Sequence, residues 1–459
     1  MISVSLGELA QVTGGRLVGG EANIQSICHD SRKVQMGDCY LAIVGERFDG
    51  HNFCQSAIEA GAIALIVSTE QKVAVPQLIV DDCKTALGQI GAFNKSRAKV
   101  KTVAITGSSG KTTVKEMLAA ILKLAGKTLA TAGNFNNDIG VPLTLLRLDE
   151  SYQYAVIELG ANHIGEIAYT VNLTQPDVAM VNNVSAAHLE GFGSLAGVIQ
   201  AKGEIYQGLA NNGWAVVNSD LDCIGDWISE LSGRKQLSYS RQPFADVYAR
   251  NVVIQDDLCP QFEWVYQGQT YPVKLNIPGQ HNVNNAMAAI SCALCLGIDK
   301  SLISQGLTET VAVAGRVKPI ELGKITLIDD SYNANQGSML AAIDLLKSAP
   351  GARYLIMGDM AEMGQYAEEV HQAVGVYAKE ASLEGFYVKG NWVKKAQENP
   401  EFQFNDFELL AEKLLSEINE KINSNNKQKV TVLIKGSRSA GMEQLVTLLK
   451  EKCGVQAQC

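Results

Sequence analysis

The sequence predicts an α/β protein of three domains: a small N-terminal α/β domain, a central P-loop domain on a mainly parallel sheet, and a C-terminal doubly wound, Rossmann-like domain. Three observations predict it. At 459 residues the chain exceeds the size at which one hydrophobic core keeps growing, so domains of roughly 100–200 residues each are expected. Strand-like apolar runs alternate with helical periodicity along two long stretches, the pattern of crossover units and parallel sheets. Between one such run and an amphipathic helix lies a Gly-rich turn, Thr106 to Thr113.

The bulk composition narrows the function. With 46% hydrophobic and 19% charged residues, the whole chain has the make-up of a folded globular protein. The net charge of -9 is spread along the chain, and no Lys/Arg run could neutralise a row of phosphates, so nucleic acid is excluded as a partner. The 10 cysteines lie scattered in a chain too core-rich to need disulfide staples, which places it in a reducing cytoplasm. Cys292 and Cys295, three apart, share one helix face and read as buried thiols. The first residues, Met1 to Leu6, lack a basic region followed by an apolar stretch. No run approaches the ~18 apolar residues of a membrane span. The expected location is cytoplasmic, with no membrane partner.

Residues 1–98 form the first expected domain. Short apolar runs at Cys39 to Val44, Ala62 to Val67 and Gln77 to Val80, with a helix around Phe53 to Ala60, read as a small α/β unit. The polar, basic stretch Lys95 to Lys101 is expected to be a linker. The second domain, 99–315, carries strands at Val103 to Ile105, Ala155 to Ile157, Val178 to Val181 and Ala215 to Val217. After Thr112, the positions Val114, Met117, Leu118, Ile121 and Ala125 follow the rhythm of a helix with one buried face. The third domain, 316–459, repeats the alternation with strands at Ile325 to Ile328, Tyr354 to Met357 and Val430 to Ile434, and a helix at Met339 to Leu346. Asn423 to Lys429 is expected to be an exposed loop.

The turn Thr106-Gly107-Ser108-Ser109-Gly110-Lys111-Thr112-Thr113 is the strongest local signal. Glycines let successive N–H groups face an anion, and the helix N-terminus adds the positive end of its dipole. Lys111 would neutralise the outer phosphates of a nucleotide, and Thr112 would place its hydroxyl on magnesium. Ile105 stands where the longer phosphate-loop pattern has its first Gly. A regulatory nucleotide switch would also carry such a turn. It usually needs an Asn-Lys-x-Asp base reader after a later strand, whereas here Asn94-Lys95 precedes the turn and lacks the Asp.

Glu158 ends an apolar run at the C-terminal edge of a strand, where sites of α/β sheets open, and its carboxylate can hold magnesium. His188 follows the strand Val178 to Val181, and spacing alone leaves it open between a ligand and a satisfied structural residue. Lys202 reads by itself as a helix-surface lysine.

Eight ordered blocks carry a resemblance: TGSSGKTTVKEM (106–117), GNFNNDIGVPLTLL (133–146), VIELGANHIGEI (156–167), AAHLEGFGS (186–194), AKGEIY (201–206), PGQHNVNNAMAA (278–289), DDSYNANQGSM (329–339) and KGSRSAGME (435–443). Together they resemble the Mur ligase family over nearly the whole chain. The nearest pattern is the branch that adds D-alanyl-D-alanine to a UDP-muramoyl tripeptide in peptidoglycan precursor synthesis. The resemblance implies an ATP- and magnesium-dependent amide-bond ligase working through an acyl phosphate, with a small uridine-nucleotide substrate and a dipeptide as its partners, and a monomer.

It further implies that Glu158 and His188 bind magnesium and that Lys202 carries a carbamate that positions a second magnesium. Asn282 and Arg316 would touch ATP, Asp330 would hold the ribose, and Tyr332 and Asn333 would lie at the cleft. Ser31 and Arg47 belong to segments that resemble the family's UDP-holding loops. Asn134, Asn136, Asn137 and Asp138 would line a substrate channel beside the P-loop. The C-terminal domain would bind the dipeptide and close over ATP. The chain departs from the family pattern at Ala314-Gly315-Arg316, where Pro-Gly-Arg is common. The Arg itself is kept. Other amino-acid ligases of the family remain an alternative to the dipeptide ligase.

Overall fold

The computed structural model describes residues 1–210, 212–424 and 429–454. Its strands gather into a small antiparallel pair and three larger sheets. In the N-terminal sheet, Ile27–Cys28, Cys39–Leu41, Ala64–Val67 and Gln77–Ile79 run parallel, and Arg16–Val18 closes one edge antiparallel. Helix Leu6–Thr13 begins with a capping box in which Ser5 and Glu8 satisfy each other's backbone N–H groups. The expected linker at Lys95 to Lys101 is not one: Lys95 to Ala98 finish the helix Cys83–Ala98, and the next strand starts at Lys101. Polar residues misled the reading because this helix buries its apolar positions on two sides. Leu87 and Ile90 enter the N-terminal core, while Gly91 lies against Pro142 and Asn94 Nδ2 donates to the carbonyls of Leu145 and Leu148, both at 2.9 Å. The helix thereby joins the first sheet to the second.

The central sheet has nine strands, and from its middle to one edge the order is Trp214–Asn218, Val178–Val181, Lys101–Thr106, Tyr154–Glu158 and Thr128–Ala130, all parallel. Side chains alternate across it. Val103 and Ile105 face the P-loop helix Lys111–Ala125 and the helix His281–Cys295, whereas Ala104 faces the helices Gly140–Leu146 and Glu166–Thr174 on the other side. Strands buried on both faces explain the continuous apolar runs. Cys292 and Cys295 pack in the first of these cores, and the described cysteines are free thiols.

The C-terminal sheet has the order Lys318–Leu322, Ile325–Asp330, Val430–Lys435, Ala352–Gly358, Gly385–Lys389, Gln403–Phe404, parallel except for its first strand. Helices Gln336–Ser348 and Ala367–Glu380 cover one face, and Phe407–Ser424 and Glu443–Lys452 the other. This is the doubly wound arrangement the alternation predicts. Of the loop expected at Asn423 to Lys429, Asn423 and Ser424 are the last residues of a helix, and 425–428 lie outside the described residues. No helix among the described residues is long and apolar enough to cross a membrane.

The P-loop helix is braced from behind by the helix Lys300–Glu309. Gly306 sits so close to it that a Cβ would come within 2.5 Å of Ile121 Cα. Alanine is the better helix former by about 1 kcal/mol, but backbone on both sides of the contact cannot move aside as a side chain would. Gly306→Ala is therefore expected to destabilise the protein by about 1–3 kcal/mol, read as a lowered denaturation midpoint; an unchanged or raised midpoint would show that propensity wins.

Candidate active site

At the C-terminal ends of the central strands the chain turns sharply after Thr106. Gly110 stands at φ 74°, and a Cβ there would meet Asn285 Oδ1 at 2.5 Å and Asn182 Nδ2 at 2.6 Å. Only glycine fits that position. The turn is held from outside: Ser108 N–H donates to Asn183 O at 3.0 Å, Ser109 N–H to Asn183 Oδ1 at 2.8 Å, and Asn182 Nδ2 to Ser109 O at 3.0 Å. Asn182 and Asn183 directly follow the strand Val178–Val181, so the neighbouring strand sets the shape of the loop. Lys111 Nζ donates to Gly107 O at 2.7 Å, which folds the lysine back over the loop. Burial lowers its pKa; Glu158 opposes that shift and Arg316 adds to it.

Glu158 is only 2% exposed. Its two carboxylate oxygens accept from Thr112 Oγ1 at 2.9 Å and from Asn136 Nδ2 at 2.8 Å, and its own N–H donates to Thr131 Oγ1 at 3.0 Å. A serine-type hydroxyl and a carboxylate side by side at the end of a phosphate-binding turn are hard oxygen donors, the set that suits magnesium completed by phosphate and water. Among the described residues no three His, Cys, Asp or Glu side chains gather into a group that could hold a metal ion.

A single cleft of about 440 Å³ contains this turn. From the central domain it is lined by Ser108 through Thr113, Asn134, Asn136, Asn137, Glu158 and His188. From the C-terminal domain come Arg316, Asp330, Tyr332, Asn333, Lys435 and Arg438. Arg316 lies over the Tyr332 ring, 4.2 Å from its centroid. Asp330 accepts from Lys435 Nζ at 2.6 Å and from Val317 N–H at 3.2 Å, a buried pair. Asn335 Nδ2 reaches across to the Ser108 carbonyl at 3.2 Å, so the two domains meet at the phosphate turn itself.

Other expected residues stand apart from the cleft. Gly107 shapes the turn without lining it. Asn282 is buried and turned back, donating to Pro278 O at 2.7 Å, and it accepts from Asn285, which is the asparagine that lines the cleft. Asp138 is tied to Lys84 in an ion pair. Ser31 opens the short 3-10 turn Ser31–Lys33 after the strand Ile27–Cys28, exposed Arg47 lies in the loop after the strand Cys39–Leu41, and neither lines this cleft. Lys202 does not line it either, and it is no helix-surface lysine. It is 2% exposed, its ammonium lies 5.3 Å from the Phe192 ring centroid, and it has no hydrogen-bond or ion-pair partner among the described residues. Burial and the charge of Lys111 push its pKa down to about 7.

Three family models match in order along the chain: Mur ligase family, catalytic domain, at 23–120; Mur ligase middle domain at 105–293; and Mur ligase, glutamate ligase domain, at 315–438. The curated UDP-N-acetylmuramoyl-tripeptide–D-alanyl-D-alanine ligase of Escherichia coli K12 is 45% identical over 98% of this chain and 99% of that protein. The chain belongs to the Mur ligase family. As a Mur ligase it is an ATP-dependent amide-bond-forming enzyme. The crystal structure of MurF from Acinetobacter baumannii superposes with a TM-score of 0.92 at 36% identity, covering 98% of this chain and 99% of that one. The MurF ligase of Thermotoga maritima, solved in complex with ADP, gives 0.83 at 26% identity over 94% and 98% of the two chains.

Several residues of this Mur ligase's site carry no signal that spacing alone reveals. Asn182, Asn183, Asn285, Asn335 and Lys435 act through contacts far apart in sequence. Lys115 is the plainest case: one helical turn after Lys111, it is 2% exposed, and its Nζ donates to Thr131 O at 2.8 Å while pairing with Glu116 at 2.7 Å. It ties the P-loop helix to the segment that carries Asn134, Asn136 and Asn137. Lys115→Met leaves the Thr131 carbonyl unpaired, at a cost of about 1–3 kcal/mol. The expected result is a kcat/KM lower by about tenfold or more with ADP affinity retained, measured by steady-state kinetics and calorimetry; unchanged kinetics would show that the segment holds itself.

Proposed function

We propose that this Mur ligase joins D-alanyl-D-alanine to the terminal carboxylate of a UDP-N-acetylmuramoyl tripeptide, in the cytoplasm and as a monomer, for peptidoglycan precursor synthesis. The observation that carries this reading is the end-to-end likeness to curated ligases of that name, together with one cleft in which the phosphate turn, Glu158 and the C-terminal cations converge. The domains are divided at 98/99 and 315/316. The first holds the uridine nucleotide through Ser31 and Arg47, the second holds the ATP phosphates, and the third brings the dipeptide and closes over ATP.

In the reaction the tripeptide carboxylate oxygen attacks the γ-phosphorus of ATP, the bond to the β-phosphate oxygen breaks, and ADP leaves. The free amine of the dipeptide then attacks the acyl carbon, and the tetrahedral adduct expels phosphate as the amine loses its proton. The turn 107–113 orients the phosphates with its N–H groups, and Lys111 neutralises the migrating charge. Thr112, Glu158 and His188 would hold magnesium, which supplies further neutralisation of that charge. Asn134, Asn136 and Asn137 would orient the acceptor carboxylate, with Asp138 anchoring their segment through Lys84. Arg316, Asn333 and, through Asn285, Asn282 would hold the nucleotide, with Asp330 on the ribose and Tyr332 stacked under Arg316.

Lys202 would enter as a carbamate. A buried lysine with its pKa near 7 is about half free amine at neutral pH. Its nitrogen can attack carbon dioxide, forming an N–C bond and losing a proton, and the product replaces an unpartnered cation beside Lys111 with an anionic oxygen ligand for a second magnesium. Because the reactive form is the deprotonated one, carbamate formation at limiting carbon dioxide should rise from about pH 6 to about pH 8. The measurement is the carbonyl resonance of protein equilibrated with 13C-bicarbonate, present in the wild type and absent in Lys202→Met; no signal at any pH in this range would remove the carbamate from the reading.

ADP release should require both the UDP-tripeptide and a D-alanyl dipeptide. Release that ignores both would indicate a nucleotide switch, and release supported by single amino acids would indicate another ligase of the family. Lys111→Ala should abolish ligation while leaving binding of the UDP-substrate to the first domain largely intact, measured by calorimetry; equal loss of both would mean the substrate is misplaced.

A further inference from the structure

The segment 359–366 follows the strand Ala352–Gly358 of the C-terminal sheet and reaches the central domain. Its Glu362 carboxylate stands against His188 Nδ1 as a close charged contact rather than an aligned hydrogen bond, since Nδ1 has no hydrogen-bond partner among the described residues, and its Glu362 carbonyl accepts the Glu190 N–H at 3.2 Å. Tyr366 packs beside Leu189, Phe192 and Val198, and Phe192 is the ring against which the Lys202 ammonium rests. The segment thus touches both groups on the metal side of the cleft, one through a carboxylate and one through a ring. His188 and Glu362 are both non-glycine residues in the left-handed region, at φ 53° and 61°. Such conformations persist only where the surroundings over-determine them, and they gather at functional sites. Yet Glu362 is half exposed, and an ion pair of that kind adds little to stability. The contact is therefore better explained by what it orients than by what it stabilises.

We propose that Glu362 is a positioning residue for the reaction: its charge beside Nδ1 draws the ring proton to that nitrogen and holds the ring orientation of His188 from across the domain boundary, so that the metal side of the cleft is complete only when the C-terminal domain is docked. A carboxylate on one ring nitrogen leaves the other nitrogen's lone pair for a cation, the usual arrangement behind a metal-binding histidine. The contact between Asn335 and the Ser108 carbonyl marks the same docked state on the phosphate side. The inference rests on the reading of His188 as a group that serves magnesium.

The test uses the full chain as wild type, His188→Ala, Glu362→Ala and Glu362→Gln, each checked for an unchanged far-UV spectrum. Manganese binding in the presence of ADP is followed by electron paramagnetic resonance. The His188 tautomer is followed in metal-free, 15N-histidine-labelled protein by long-range 1H–15N correlation. Glu362→Ala should weaken manganese binding by about 10- to 100-fold and turn one His188 tautomer into a mixture. Glu362→Gln keeps an oxygen beside Nδ1 without the charge and should fall between the wild type and Glu362→Ala in both readouts. If His188→Ala leaves manganese binding unchanged, the underlying metal reading fails. If His188→Ala weakens it but Glu362→Ala moves neither readout, or if the Gln variant loses as much as the Ala variant, the positioning role is overturned.

Discussion

A carboxylate buried at the end of a parallel strand governs the rest of this site. Taking Glu158 out of water costs several kcal/mol even after the protein relaxes around it. The Thr112 hydroxyl and the Asn136 amide return part of that cost, but both are neutral. Full compensation needs positive charge, and Lys111 supplies some of it, as the opposing effect of Glu158 on the lysine's pKa shows. The proposed magnesium would supply the remainder beside the hydroxyl. The braces around the carboxylate follow from this need. Thr131 accepts its N–H, Lys115 holds Thr131, and the helix carrying Lys115 is held by Gly306 against its back.

Lys202 is the counterpart of opposite sign, and it is satisfied differently. Glu158 has two hydrogen-bond donors, while the Lys202 ammonium has an aromatic face, the like charge of Lys111 and, with smaller effect, the opposite charges of Glu204 and Glu166. A buried cation so placed lowers stability unless it is neutralised or modified. Its neighbour Glu204, also buried, could have paired with it. Instead that carboxylate accepts from Gly165 N–H at 2.7 Å and Ala168 N–H at 3.0 Å, capping the helix Glu166–Thr174. Glu204 thus serves the helix by hydrogen bonds and reaches the lysine only through its charge.

The features that sequence reveals are those set by near neighbours. The turn 106–113, the strand ending in Glu158 and the alternation of the C-terminal domain each depend on residues a few positions apart, and the structure keeps them. What sequence hides is set by packing. Lys202 reads as a surface residue because its helix gives no sign that Phe192 and Tyr366 cover that face. Lys95 to Lys101 reads as a linker because a helix buried between two domains loses its one-sided pattern, and its polar end resembles a loop. The family pattern points to Asn282 in the block PGQHNVNNAMAA, yet it is Asn285 that faces the cleft, since the start of the helix turns Asn282 back toward Pro278. Asn335 and Glu362 act across the domain boundary, where no local spacing could announce them.

That boundary has its own logic. The domains touch near the site through single polar contacts, Asn335 to the Ser108 carbonyl and Glu190 to the Glu362 carbonyl, and each such bond is worth about 0.5–1.5 kcal/mol net. Apolar contacts cross it where Leu258 of the central domain enters the C-terminal core and where Tyr366 packs beside Leu189, Phe192 and Val198. Contacts of this size make separation inexpensive. At the same time each lies at or beside the cleft: on the phosphate turn, next to His188 and, through Tyr366, against the Phe192 ring beside Lys202. An acyl phosphate is readily destroyed by water, so a site that is fully assembled only in the docked arrangement forms its reactive intermediate only where water is held out. Dividing the cleft between two weakly joined domains makes exclusion of solvent and completion of the catalytic set the same event.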